Sequence, residues 1–121
     1  MRVIRLDEVP EEPFYGPTPT IGVGNIKTQP IVTDSKNYMI RLVHFGKGAR
    51  NKYHKHTCDQ VLIVTAGTGV VATDEGKVTV RAGEIVHVPA GEKHWHGATD
   101  NSEFSHIYIL SPENKTTQLE D

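Results

Sequence analysis

Short apolar runs cut apart by glycine and proline are what most limits the fold of this chain. They lie at 38–45 (YMIRLVHF), 60–67 (QVLIVTAG), 69–73 (GVVAT), 77–83 (KVTVRAG), 84–91 (EIVHVPAG) and 104–110 (FSHIYIL). Valine, isoleucine and threonine dominate them, side chains that suit a pleated strand better than a helix. The breaks are turn chemistry: Gly46–Gly48, Gly67–Gly69, Asp74–Gly76, Gly83 and Pro89–Gly91. No segment carries a helical period. Short strands at even spacing predict an all-β sandwich or barrel.

The flanks differ from this middle. Pro10, Pro13, Pro17, Pro19 and Pro30 all fall in 7–30. Proline fixes φ and removes a ladder donor, so residues 1–30 are expected to form an extended arm or loop. Residues 31–111 make the barrel domain, and the polar tail 112–121 is expected to fray. With 121 residues, 36% hydrophobic and 23% charged, the chain has room for one modest core. A net charge of −2 gives no footprint for nucleic acid. No apolar run is long enough to cross a bilayer. The stretch MRVIRLDEVPEEP has no apolar h-region, which sets a cytoplasmic location as the expectation. A lone cysteine, Cys58, excludes an internal disulfide framework and reads as a small buried filler.

Histidine carries the chemistry. In NKYHKHTCDQVLIV, His54 and His56 stand two residues apart, so on a strand they share a face. Gln60, Leu62 and Val64 continue that parity, setting an oxygen donor above an apolar floor. His94 follows the PAGEK turn and can approach from another strand. Imidazole is costly to bury unpaired, so a convergent set needs a use for its lone pairs.

Two blocks make the pattern specific. GARNKYHKHTCDQVLIVTAG runs Gly48, His54-x-His56, Gln60, Gly67, and GEIVHVPAGEKH runs Gly83, Pro89-x-Gly91, His94. Together they resemble the paired motifs of the cupin superfamily over positions 48–94. The resemblance implies a double-stranded jelly-roll β-barrel holding one divalent metal ion per chain, with His54, His56, Gln60 and His94 as its ligands. Most metal-binding cupins have glutamate where this chain has Gln60, and asparagine where it has Ala98. Three imidazoles and an amide leave the charge of the ion unneutralised, which favours Lewis acidity and anionic or carbonyl oxygen ligands. An ion that prefers six ligands keeps two open positions on such a set; Mn, Fe, Ni, Co and Zn would all accept it.

A narrower resemblance covers positions 41–109. HTCDQVLIVTAG, GEKHWHGA and His106 are similar to the manganese-dependent cupin hydroxynitrile lyases, which implies manganese and His106 as the base. It also implies that Arg41, Val43 and Asn51 turn toward the pocket. Phe104, His106 and Tyr108 share one strand face, and Ser105, Ile107 and Ile109 the other, so parity alone leaves both orientations of His106 open. His96 shares the parity of His94 and reads either as an acid/base group at the pocket mouth or as a solvent-facing imidazole. Arg41 and His44 have opposite parity, so only one of them faces the lumen. Arg41 stands where those lyases have a small residue; turned inward, it suits a substrate carboxylate. His87, mid-strand between Val86 and Val88, reads as structural.

These observations favour a lyase-type enzyme acting on a small carbonyl, hydroxy or carboxylate compound, with His106 and His96 moving protons. An iron-dependent dioxygenase and a non-catalytic ligand-binding cupin remain open alternatives. Exposed barrel edges and the proline-rich arm lead to the expectation of a homodimer.

Overall fold

The structure, a computed structural model, describes residues 1–14, 20–21 and 25–120. The strands are β1 (Glu12–Pro13), β2 (Thr20–Ile21), β3 (Ile26–Val32), β4 (Met39–Phe45), β5 (Arg50–Asn51) and β6 (His54–His56), then β7 (Gln60–Thr73), β8 (Gly76–Arg81), β9 (Ile85–Val88), β10 (Trp95–Ala98), β11 (Phe104–Leu110) and β12 (Thr116–Gln118). The sole helical element among the described residues is a three-residue 3-10 turn at Leu6–Glu8. No helix there is long and apolar enough to cross a membrane.

The pairing order β1-β3-β4-β11-β7-β10-β5-β2 curls into a jelly-roll, with β8 and β9 both paired to β7. Strand β7 belongs to both walls. Its first half pairs with β11 and β9, its second half with β10 and β8. The bend between the halves has two causes. An irregularity opposite Ser105/His106 shifts the register. Beyond it Gly67 takes φ +73°, and a Cβ there would collide with the Glu103 carbonyl.

Alternation then sorts the side chains. Val43, Phe45, Leu62, Val64 and Phe104 point inward and are at most 3% exposed. His44 points outward, where Nε2 meets Gln29 Oε1 at 2.6 Å and Nδ1 meets Ser105 Oγ at 2.7 Å. Gln29 in turn donates to the carbonyls of Leu6 and Val9, pinning the start of the chain across the outer face of the sheet.

The flanks are more structured than their composition suggests. Within the expected arm, Ile26–Val32 is a strand between β1 and β4, and Phe14 packs on the core. Residues 15–19 and 22–24 of the arm lie outside the described residues. The tail does not simply fray: Thr116–Gln118 pair with His56–His54. Glu120 then bonds Arg50 at 2.8 Å and accepts from the Tyr53 N–H at 2.9 Å. That Arg50 guanidinium also stacks on Trp95, 4.6 Å from the ring centroid.

Candidate metal centre and cavity

Two backbone hydrogen bonds assemble the histidine cluster. His54 N donates to His94 O at 2.9 Å and His94 N to His54 O at 3.0 Å. This antiparallel bridge puts residues from the two sequence blocks directly opposite each other, with their side chains on one face. Strand alternation adds His56. Ring centroids then lie 4.3 Å apart for His54–His94, 4.9 Å for His54–His56 and 5.4 Å for His56–His94. One nitrogen from each of the three falls within 4.8 Å of the others, and all three residues are buried.

The tautomers are set from behind. His54 Nδ1 faces the Lys52 carbonyl at 2.6 Å, His94 Nδ1 the Glu92 carbonyl at 2.9 Å, and His56 Nδ1 the Thr116 hydroxyl at 2.9 Å. The two carbonyls can only accept, so the Nδ1–H of His54 and of His94 donates outward and leaves Nε2 with its lone pair inside. The Thr116 hydroxyl is able to accept from His56 in the same way. His56 Nε2 is buried without a hydrogen-bond partner. His94 Nε2 faces Gln60 Oε1 at 3.2 Å, two acceptors with no proton between them. A cation satisfies all of these lone pairs at once. Burial and mutual repulsion keep the rings neutral, as ligation requires: His54 is pushed down to about 3, His56 to about 4, and His94 is lowered mainly by desolvation. The three imidazoles therefore fit a divalent metal, and Gln60 Oε1 stands beside them.

Beside this cluster opens a cavity of about 370 Å³. Arg41, Val43 and Asn51 line it, as does His96, which is 4% exposed and so faces inward rather than to solvent. His96 is held on two sides. Asn51 Oδ1 accepts from its backbone N–H at 2.9 Å, and His106 Nε2 lies 3.1 Å from its Nδ1.

His106 faces the lumen but does not reach the cavity. It is 0% exposed and lies between Phe45 and Phe104 with centroids 5.5 Å away. Burial depresses it to about 4, and lowers His96 well below the usual imidazole range. Of the two candidate acid/base histidines, His96 lines the cavity wall and His106 lies behind it, lumen-facing as one of its two sequence orientations has it.

Other residues also differ from their sequence reading. His87 is exposed rather than structural, pairing loosely with Asp59 at 3.3 Å. Cys58 is half-buried rather than buried. Thr116 and Thr28, both at the cavity wall, have no motif to mark them in the sequence. A β-branched Thr-Thr pair in a polar tail is the sole signal for Thr116.

A jelly-roll with inward imidazoles from two bridged segments defines a metal-binding type of barrel. The chain belongs to the cupins: the Cupin domain family matches residues 41–110. It is 43% identical over 68 residues to the (R)-mandelonitrile lyase of Granulicella tundricola, covering 55% of this chain and 52% of that protein. It is 30% identical over 81 residues to the acireductone dioxygenase of a Sulfurihydrogenibium species, covering 56% and 45%. The matches thus span about half the length of these curated relatives. A cupin-like protein of Thermotoga maritima superposes with a TM-score of 0.77 at 31% identity, covering 82% of this chain and 79% of that one. The polyketide cyclase of Streptomyces resistomycificus, at 16% identity and a TM-score of 0.86, covers 98% and 85% and supports the fold alone.

Proposed function

We propose that this cupin is a metal-dependent lyase acting on a small hydroxy or carbonyl compound, with manganese the favoured ion. The observation that carries the reading is the placement of a neutral, deeply buried imidazole, His96, at the wall of a cavity that also receives His54 and His56. A bound divalent ion supplies Lewis acidity toward a substrate oxygen.

The chain's own residues do the rest. His54, His56, His94 and Gln60 hold the ion. His96, a neutral imidazole at the cavity wall, takes the proton of a substrate hydroxyl. That oxygen forms the carbonyl while the electron pair of the adjacent carbon bond leaves with the departing anion. His106 and Asn51 fix the orientation of His96. Val43 and other apolar side chains exclude water around the reacting carbon. The likeness to a mandelonitrile lyase supports cleavage next to a hydroxyl-bearing carbon.

The test is turnover of a panel of 2-hydroxy compounds by metal-loaded protein. His96→Asn should lower kcat at least roughly 100-fold while metal stoichiometry holds. Full activity in that variant would remove His96 from the chemistry. The likeness to an acireductone dioxygenase supports a second reading, oxygen chemistry with iron in the same site. Oxygen consumption with iron and none with manganese would favour it.

A further inference from the structure

We propose that the cavity takes a small 2-hydroxy or 2-oxo carboxylate, with the Arg41 guanidinium as partner of the carboxylate group. This deepens, and rests on, the reading of the site as a metal-dependent lyase pocket. Arg41 lies on β4 and lines the cavity, half-buried. Among the described residues no carboxylate comes within ion-pair distance of it. Among the described residues Glu12 is the sole acidic one at the cavity wall, and it is exposed.

Two further donors stand on the strands either side of Arg41. Tyr108 sits directly opposite it on β11, and Thr28 on β3 is opposite Val43, two residues along the same face. Both line the cavity. Thr28 is 4% exposed and its buried Oγ1 has no hydrogen-bond partner, a donor that a small side-chain rotation would turn to a ligand. Adjacent strands thus bring a guanidinium and two hydroxyls to one wall, while the histidines enter from the β6 side. A nitrile or amide would leave the guanidinium uncompensated. A carboxylate neutralises it and accepts its paired N–H groups, with the hydroxyls left to bond the remaining lone pairs. The other end of a 2-hydroxy or 2-oxo acid carries the oxygen that the metal and His96 require.

The experiment compares lactate with lactamide, which share a skeleton and differ in charge. Binding is measured by calorimetry on metal-loaded and on chelator-treated protein. Lactate should bind roughly 10- to 100-fold more tightly than lactamide, the range for a hydrogen-bonded charge. Arg41→Met should remove most of that preference, weakening lactate far more than lactamide. Arg41→Lys should restore part of it, since it keeps the charge but not the fork. Equal affinity of the two ligands in the parent protein overturns the proposal without any variant. So does a lactate preference that survives Arg41→Met and disappears when the metal is removed, which would assign the preference to the ion. Metal content of the same samples reports separately on the underlying reading. Lactate preference without stoichiometric metal sustains the proposal and removes that reading; metal without lactate preference does the reverse.

Discussion

The Thr116 hydroxyl lies 2.9 Å from Nδ1 of His56, tying the tail to a candidate metal ligand 60 positions upstream. The same hydroxyl accepts from Asn114 Nδ2 at 3.1 Å, which holds its oxygen in place beside the ring. Thr116→Val keeps the shape and removes the acceptor. Metal affinity should fall roughly 10- to 100-fold, as for other partners of ligating histidines, and Thr116→Ser should retain it. Competition against a chromogenic chelator measures both. Parent-like affinity in the valine variant would show that the contact does not tune the site.

The three imidazoles account for occupancy. His54→Ala with His56→Ala should abolish stoichiometric metal on elemental analysis, because one imidazole and one amide cannot hold a divalent ion at micromolar concentration. A fully loaded double variant would disprove the site.

Gln60 sets the charge of the cluster. Its Oε1 lies 3.2 Å from His94 Nε2, so a carboxylate in its place reaches the same point. Gln60→Glu should bind metal at least as tightly as the parent, since an anionic ligand gains Coulomb energy in a low-dielectric lumen. It should also bind azide more weakly, because the site loses net positive charge. Unchanged azide affinity would mean that the amide has no electrostatic role.

Acid should destabilise the fold through His106. Its folded pKa of about 4 lies below the ordinary 6.5, so between these values the unfolded chain binds the proton and the folded chain does not. The stabilisation is complete above pH 6.5 and is lost as pH falls toward 4, by roughly 3 kcal/mol. Chemical denaturation of metal-free protein across this range should show a shallower pH slope for His106→Leu. An identical slope in both proteins would mean that His106 titrates normally.

We propose that the chain forms homodimers. Strand β8 pairs with β7 alone, and Val78 on it is 64% exposed; Ile85 on β9 is 67% exposed. Open edges with apolar side chains are rarely left to solvent. Light scattering should give twice the 13.4 kDa chain mass, and Val78→Lys with Ile85→Lys should halve it. A clean monomer in the parent protein would refute the assignment.

Much of the barrel is legible in alternation. Met39–Phe45 and Phe104–Leu110 sit within a residue of their expected bounds, because one buried face imposes period two. The same parity sets His54 and His56 on one face from their spacing alone. The runs at 60–67 and 69–73 form a single strand, because Gly67 bends the chain without ending its ladder. Ile26–Val32 is hidden by Pro30, which sits beside a register shift opposite Arg41 and Ile40 where no ladder donor is needed. Thr116 is hidden by polarity: the tail pairs through its backbone and one hydroxyl, with no apolar pattern to announce it. The separate placement of His96 and His106 depends on packing around Phe45 and Phe104, which strand parity does not encode.

Strand β11 has a consequence for how the molecule assembles. It lies between β4 and β7, so its two neighbours are not joined until residues 104–110 insert between them. Up to that moment both strands carry open rows of backbone donors and acceptors, a template for any other extended chain. Non-local pairing of this kind folds on the scale of milliseconds to seconds. Aggregation during refolding therefore concentrates in that interval, and a solubilising charge serves best on the outward face of β4 or β7.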